Sequence, residues 1–383
     1  EAESKKMNIA VSCKLSGSSI GRWLGLTFIL LALGCGGGGG SDSDDPTPTP
    51  TPAAPGVLSI SASIRTEPTP SDTDELIARY LEAFDLAREA GANGQFSSYT
   101  WADLEPTNGD YRLDDLQSTI EHAEAEGLTL LLGLQVINTV ARAVPPDLDD
   151  VQWSAAMMGT RMRALLDRIF PIVEGHVAYI SIGNEVDVYF QDADAAELDA
   201  YRDLFASAAQ YLHQQLPGVQ VGITLTAGSL LSADPRWPQL VADSDVMIAT
   251  YYPLQADFSV QPPQRPAQDF PDLLARAGSK NLVLQEVGYP SSTISGSSEA
   301  MQAEFVHQAF AAWRDSNGRI PFLNLFLLHD FSTELVNALT AYYGSSDPKF
   351  RAYLDSLGLR QRNNTDKLAW PAVLQEAQAS GLR

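Results

Sequence analysis

Cysteine is nearly absent: Cys13 and Cys35 are the only two, and both precede the long remainder of the chain. That remainder can therefore form neither an internal disulfide nor a thiolate metal site. The five histidines (His122, His176, His213, His307, His329) never fall at HExxH or similar spacing, so no bound metal is expected. Cations are also scarce, with 25 Lys and Arg against 48 Asp and Glu and a formal charge of -23. A surface this acidic repels nucleic acid and anionic headgroups, which excludes both as partner surfaces. Its charges are scattered, as on an ordinary solvated surface, and argue weakly against a polyanionic ligand. No glycine-rich phosphate loop opens a helix, and the Gly17-Ser-Ser19-Ile-Gly21 spelling has no strand before it. Long apolar runs are missing too. The longest, Trp23 to Leu33, is short for a bilayer span and suits the apolar region of a signal peptide.

That run follows Lys14 and Arg22 and ends in Leu-Ala-Leu-Gly-Cys35. The arrangement resembles a bacterial lipoprotein signal, which implies lipidation at Cys35, although Ala32 stands where leucine is commoner. An ordinary signal peptide cut nearby is the alternative. Gly36–Gly40, an Asp/Ser stretch and Pro-Thr repeats follow, a composition that buries no core and serves as a tether. The expected organisation is 1–34 extension and signal, 35–56 tether, and 57–383 one catalytic domain. The expected location is the bacterial envelope, at the outer membrane or cell surface, with membrane contact only through the lipid.

From Val57 onward short apolar runs alternate with amphipathic stretches. Eight strands are predicted, at 57–64, 92–99, 128–136, 176–182, 219–225, 245–250, 281–285 and 320–328. Helices are predicted after the Ser71–Asp74 cap, around Leu113–Ala123, and over 161–172, 194–216, 298–315 and 367–379. Eight strands with helices between most of them suit an α/β fold of the (β/α)8 TIM-barrel type. A doubly wound open sheet is the runner-up.

In such a barrel, functional side chains project from the C-terminal ends of strands. Glu185, in Ile182-Gly-Asn184-Glu185, ends the fourth predicted strand, and Glu286, in Leu284-Gln-Glu286, ends the seventh. They are 101 residues apart, about 34 per βα unit, against roughly 31 in a typical barrel. Two such carboxyls suit glycosidic cleavage, one protonating the leaving oxygen and the other stabilising or attacking the anomeric carbon. Burial at a strand end raises a glutamate's pKa toward that of a useful acid. Asn184 is placed to hydrogen-bond a sugar 2-hydroxyl. Gln135 and Asn138, after the third strand, are candidates for hydroxyl contacts, and Trp101 for a stacking platform ahead of Trp153 and Trp237.

Asn184-Glu185 and Glu286 together resemble the signature of glycoside hydrolase clan A, as does Trp101-Ala-Asp-Leu-Glu105-Pro106 with Gly109-Asp-Tyr111. The resemblance spans about residues 57–380. It implies retaining chemistry with Glu185 as acid/base and Glu286 as nucleophile, and no cofactor. Tyr251-Tyr252-Pro253 and Gly288-Tyr289-Pro290 resemble the endo-β-1,4-galactanase family more weakly. One of Tyr251 and Tyr252, with Tyr252 favoured, is expected to hydrogen-bond the nucleophile. Two departures stand out. Gln95-Phe96 occupies the region where clan members often carry arginine, and Phe326–Phe331 the region where many carry tryptophan; His329 or Phe331 is expected to replace it. The expected activity is endo-acting cleavage of a β-linked polysaccharide: β-1,4-galactan, β-1,3-glucan or β-mannan. The alternatives are a carbohydrate-binding surface lipoprotein that does not cleave, and a transglycosylase using the same two glutamates.

Overall fold

The computed structural model describes residues 55–383; the expected signal, Cys35 and nearly all of the tether lie outside them. Eight barrel strands run in chain order: β1 (Val57–Ile60), β2 (Gly94–Thr100), β3 (Thr129–Asn138), β4 (Val177–Asn184), β5, β6 (Met247–Tyr251), β7 (Leu282–Val287) and β8 (Phe322–Leu325). β5 comes in two halves, Gln220–Gly222 paired with β4 and Thr224–Thr226 paired with β6. All pair in parallel, and β1 pairs with β8 from Val57↔Phe322 to Ile60↔Leu325, so the ring closes apart from the break at Ile223. A two-residue strand, Ala141–Arg142, adds an antiparallel edge to β3. The architecture is a (β/α)8 barrel, and the open-sheet alternative is set aside.

Helix starts follow their local chemistry. Asp72 caps Thr73–Glu89 by accepting from the Glu75 amide, and the Glu75 carboxylate accepts from the Ser71 amide in return. Asp194 and Ser298 cap Ala195–Gln215 and Glu299–Asp315 in the same way. Among the described residues, no helix is long and apolar enough to cross a membrane.

Two predicted strands are shorter in the structure. The 57–64 strand stops at Ile60, and the 320–328 strand is confined to Phe322–Leu325. Beyond Ile60 the chain leans onto the segment after β8: the Ser61 amide donates to the Leu325 carbonyl and the Leu328 amide to the Ser61 carbonyl. It therefore parts from β2, with which β1 shares only the Ser59↔Gly94 pair. That parting opens the barrel mouth between β1 and β2.

Two helices after β8, Thr333–Tyr342 and Pro348–Asp355, have no counterpart in the sequence-based expectation. They pack on a small core of their own, made by Leu327, Phe331, Val336, Leu339, Phe350, Leu354 and Leu357. Tyr252, after β6, and Phe326, after β8, pack against this small core, which lays the two helices over the mouth.

Candidate active site

Glu185 ends β4 in a left-handed conformation, φ 47° and ψ 47°, which non-glycine residues adopt rarely and mostly under functional constraint. Gly183, at φ 87°, makes the bend possible, because a Cβ there would lie 2.6 Å from the Tyr201 hydroxyl and from Val186. The Tyr201 hydroxyl in turn donates to the Ile182 carbonyl at 2.7 Å. Thr139, just past β3, is also left-handed, and its amide donates to the Asn184 carbonyl. The ends of β3 and β4 are thereby joined. Thr139 and Thr250 each donate a hydroxyl to Glu185, at 3.0 and 2.6 Å.

Glu286 lies on β7, where the register slips: Ala249 pairs with Leu284, yet Thr250 pairs with Glu286. Gln285 is the extra residue of a bulge, and such bulges re-aim neighbouring side chains. Glu286 consequently lines the mouth cavity, while Gln285 is buried against its neighbours. The Tyr252 hydroxyl donates to Glu286 at 2.6 Å. A Cβ on Gly288 would lie 2.6 Å from the Tyr252 ring and 2.7 Å from the Phe326 carbonyl, so glycine is needed for that approach. Gln285 belongs to a hydrogen-bonded chain, accepting from Thr224 at 2.7 Å and donating Nε2 to Asn184 Oδ1 at 2.8 Å. With its oxygen engaged in this way, Asn184 turns its amide nitrogen toward Asn138 Oδ1 and Thr139 Oγ1, both at 3.4 Å, at the cavity lining.

Asn184, Glu185 and Glu286 line a cavity of about 440 Å³ together with Gln135, Asn138 and Tyr252. It extends through the gap between the Ser61–Ile64 segment and Gln95–Ser98, as far as Tyr80, Phe84 and Ala87 on the Thr73–Glu89 helix. Both glutamates are part-exposed, and the surface they keep faces this cavity. Desolvation and the nearby Glu286 charge push the Glu185 pKa up to about 7, against the opposing hydroxyl of Thr250. Desolvation raises Glu286 as well, but Tyr252 and Gln285 donate to its carboxylate and favour the ionised form. Each carboxylate has two side-chain donors, so the asymmetry lies in the charge: Glu286 opposes ionisation of Glu185, which favours the pair's proton on Glu185.

Three residues expected at the site lie elsewhere. Trp101 is fully buried, its indole nitrogen donating to Glu105 at 2.9 Å. Tyr251 points away from the mouth, its hydroxyl on Asp269 at 2.7 Å, because successive strand residues face opposite sides. His329 is buried, its ring nitrogens held by the Ser63 carbonyl and Asn364. At the end of β8, Phe326 and Phe331 reach the cavity instead. Trp153 and Trp237 are also core residues. Among the described residues no group of three or more His, Cys, Asp and Glu side chains converges as a metal site.

Sequence reasoning missed five residues here: Thr139, Thr250, Tyr342, Tyr343 and Tyr353. Thr250 was within reach, since it lies two residues before Tyr252 on the same strand face. The Tyr342 hydroxyl donates to the Asn138 carbonyl at 2.5 Å. Tyr343 stands beside Thr139 within the field of both glutamates, and Tyr353 packs edge-on against Tyr252 at 5.5 Å. Burial pushes the Tyr343 and Tyr353 phenols up, so both remain neutral donors.

No protein-family model matches the chain, and no curated protein sequence matches it either. Solved structures do. GH5_18 from Streptomyces cattleya, in complex with GlcNAc, superposes with a TM-score of 0.64 at 15% identity, covering 86% of this chain and 81% of that one. The exo-β-1,4-mannosidase Op5Man5 from Opitutaceae bacterium strain TAV5 gives 0.62 at 19% identity, over 79% of this chain and 55% of that one. The β-glycosidase BGL167 gives 0.59 at 14%, over 87% and 97%. At these identities the likeness concerns the backbone: this chain has the same barrel fold as three glycoside-cleaving proteins.

Proposed function

We propose that the protein is a retaining glycoside hydrolase acting on a β-linked glycan, with Glu185 as acid and then base and Glu286 as nucleophile. The observation that carries this reading is the pair itself. Two glutamates from β4 and β7 share one cavity, both raised by burial, with the Glu286 charge favouring a proton on Glu185. In the first half-reaction the Glu286 carboxylate bonds to the anomeric carbon as the C–O bond to the leaving group breaks, and Glu185 gives its proton to that oxygen. In the second, Glu185 takes a proton from water, whose oxygen displaces Glu286. Asn184, oriented by Gln285, donates to the 2-hydroxyl.

The glycosidases that share the fold support this reading, and those solved with GlcNAc or Manβ1-4GlcNAc favour mannose- or glucosamine-type sugars alongside the galactan, glucan and mannan expected from sequence. A binding lipoprotein would have no use for two carboxyls arranged to divide one proton. A transglycosylase would keep the same first half-reaction and differ only in the acceptor. Export and lipidation at Cys35 belong to this proposal through the signal and tether composition alone.

A panel of aryl β-glycosides (galactoside, glucoside, mannoside, N-acetylglucosaminide) tests the reading. Release of the aryl group from at least one is expected, with Glu286→Gln reduced at least about 1,000-fold. Turnover that survives in Glu286→Gln would remove Glu286 from the role given to it.

A further inference from the structure

Resting on that reading, we propose that the substrate is a glycoside carrying an apolar chain. The sugar lies at the glutamate pair, and an alkyl or acyl chain passes through the split between β1 and β2 into a chamber under the Thr73–Glu89 helix.

The barrel wall is open there by construction. β1 and β2 share the single pair Ser59↔Gly94, and from Gln95 to Thr100 β2 pairs with β3 alone. The segment that would continue β1 is held on the β8 side. The Ser63 hydroxyl donates to the His329 carbonyl at 2.9 Å and accepts from the His329 amide at 2.7 Å, and the Thr66 amide donates to the Arg362 carbonyl at 2.9 Å. Successive strand residues face opposite sides of a sheet, yet Gln95, Phe96, Ser97 and Ser98 all line the cavity that holds Glu185 and Glu286. One cavity therefore touches both faces of β2 by passing around its free edge.

The chemistry changes across the wall. Gln135, Asn138 and Asn184 make the mouth polar, whereas the lining beyond the split is Ile60, Ala62, Ile64, Tyr80, Phe84 and Ala87. Buried His122 lies against Phe84, with ring centroids 4.4 Å apart, and desolvation pushes its pKa down, so it adds no charge near pH 7. Charge returns at the outer rim, where Arg88 pairs with Asp85 at 3.0 Å and with Glu126. From Tyr80 to Ala87 the helix covers about 10 Å, which gives a chain of several carbons room to lie along it. Sugar hydroxyls placed there would lose water without gaining partners, while alkyl surface gains from the same burial.

One polar atom in the chamber lacks a counterpart. Gln95 is 7% exposed, and its nitrogen donates to Ser97 at 3.0 Å, but its Oε1 has no partner among the described residues. A buried acceptor without a donor is costly. A chain joined through an amide N–H, or bearing a hydroxyl, would supply one.

Binding to the full chain carrying Glu286→Gln reads the chamber without turnover. Methyl, butyl and hexyl β-glycosides of the four panel sugars are titrated calorimetrically below their micellar concentrations. A second series of methyl β-glycosides carries acetyl, butanoyl or hexanoyl chains on the sugar ring. In one series Kd is expected to fall at least about 30-fold from shortest to longest chain, part of what full burial of each methylene would give. The series that responds shows which end of the sugar faces the split. Ala62→Phe, which fills the passage, should flatten that dependence. Gln95→Leu, which removes the unpaired acceptor, should tighten the longest plain alkyl chain about threefold. A Kd independent of chain length in both series overturns the proposal, as does a dependence that both substitutions leave unchanged; the catalytic reading stands in either case. Chain-dependent binding alongside an inactive aryl glycoside panel would instead sink the catalytic reading and leave the chamber standing.

Discussion

Glu286→Ala is expected to lose on the order of 10⁴-fold in aryl glycoside turnover, equivalent to about 5.5 kcal/mol of barrel-mouth transition-state stabilisation. Added azide should restore part of it as a glycosyl azide of α configuration. The reason lies in the geometry at β7. Removing the carboxylate leaves a small space beside Tyr252, on the side of the sugar that the nucleophile would attack. Azide entering that space forms its N–C bond there while the aryl oxygen leaves on the other side with the Glu185 proton. Glu185→Ala should behave differently. It keeps the first half-reaction for good leaving groups, and azide then displaces Glu286 from the opposite face to give the β-azide. Product analysis by NMR distinguishes the two azides. An α-azide from the Glu185 variant would exchange the two roles.

The second large effect concerns pH. Glu185 must be protonated to act as the acid, and burial with the Glu286 charge raises its pKa to about 7. The alkaline limb of kcat/KM is therefore expected near pH 7, as a property of the coupled pair. Thr250→Val removes a donor that favours the ionised form, so the limb should move to higher pH. A fall to lower pH would mean that the hydroxyl does not act on this carboxylate. Stability follows the same linkage. A carboxyl raised on folding contributes most below its unfolded pKa of about 4.5, and loses that contribution as pH rises through about 7. Wild type should thus lose about 2–3 kcal/mol relative to Glu185→Gln between pH 4.5 and 8. Thermal unfolding of both proteins at pH 5 and pH 8 checks it: the Glu185→Gln advantage should be larger at pH 8, and an equal gap at both would contradict the shift.

Part of this site was legible in the sequence because strand periodicity carries it. Asn184, Glu185, Tyr252 and Glu286 sit at the ends of apolar runs, and Gln135 and Asn138 follow another, so all six reach one cavity. The errors have the same origin. Tyr251 and Tyr252 are neighbours, and alternation sends one to Asp269 and the other to Glu286. Trp101 and His329 follow strand ends, yet a turn after the strand swings each into the core or onto the loops. The bulge that turns Glu286 to the mouth beside a buried Gln285 has no mark in a single sequence, since Leu-Val-Leu-Gln-Glu reads as an ordinary strand end.

The two helices after β8 were illegible for a different reason. Thr333–Tyr342 and Pro348–Asp355 are short, and their apolar residues pack mainly on each other.

The most direct test of the central claim is the anomeric configuration of the first sugar released, followed by ¹H NMR from the start of hydrolysis of a β-glycoside. Double displacement through Glu286 and Glu185 predicts that the β-anomer appears first and then mutarotates toward equilibrium. First appearance of the α-anomer would mean a single displacement by water, and would contradict the assignment of Glu286 as nucleophile.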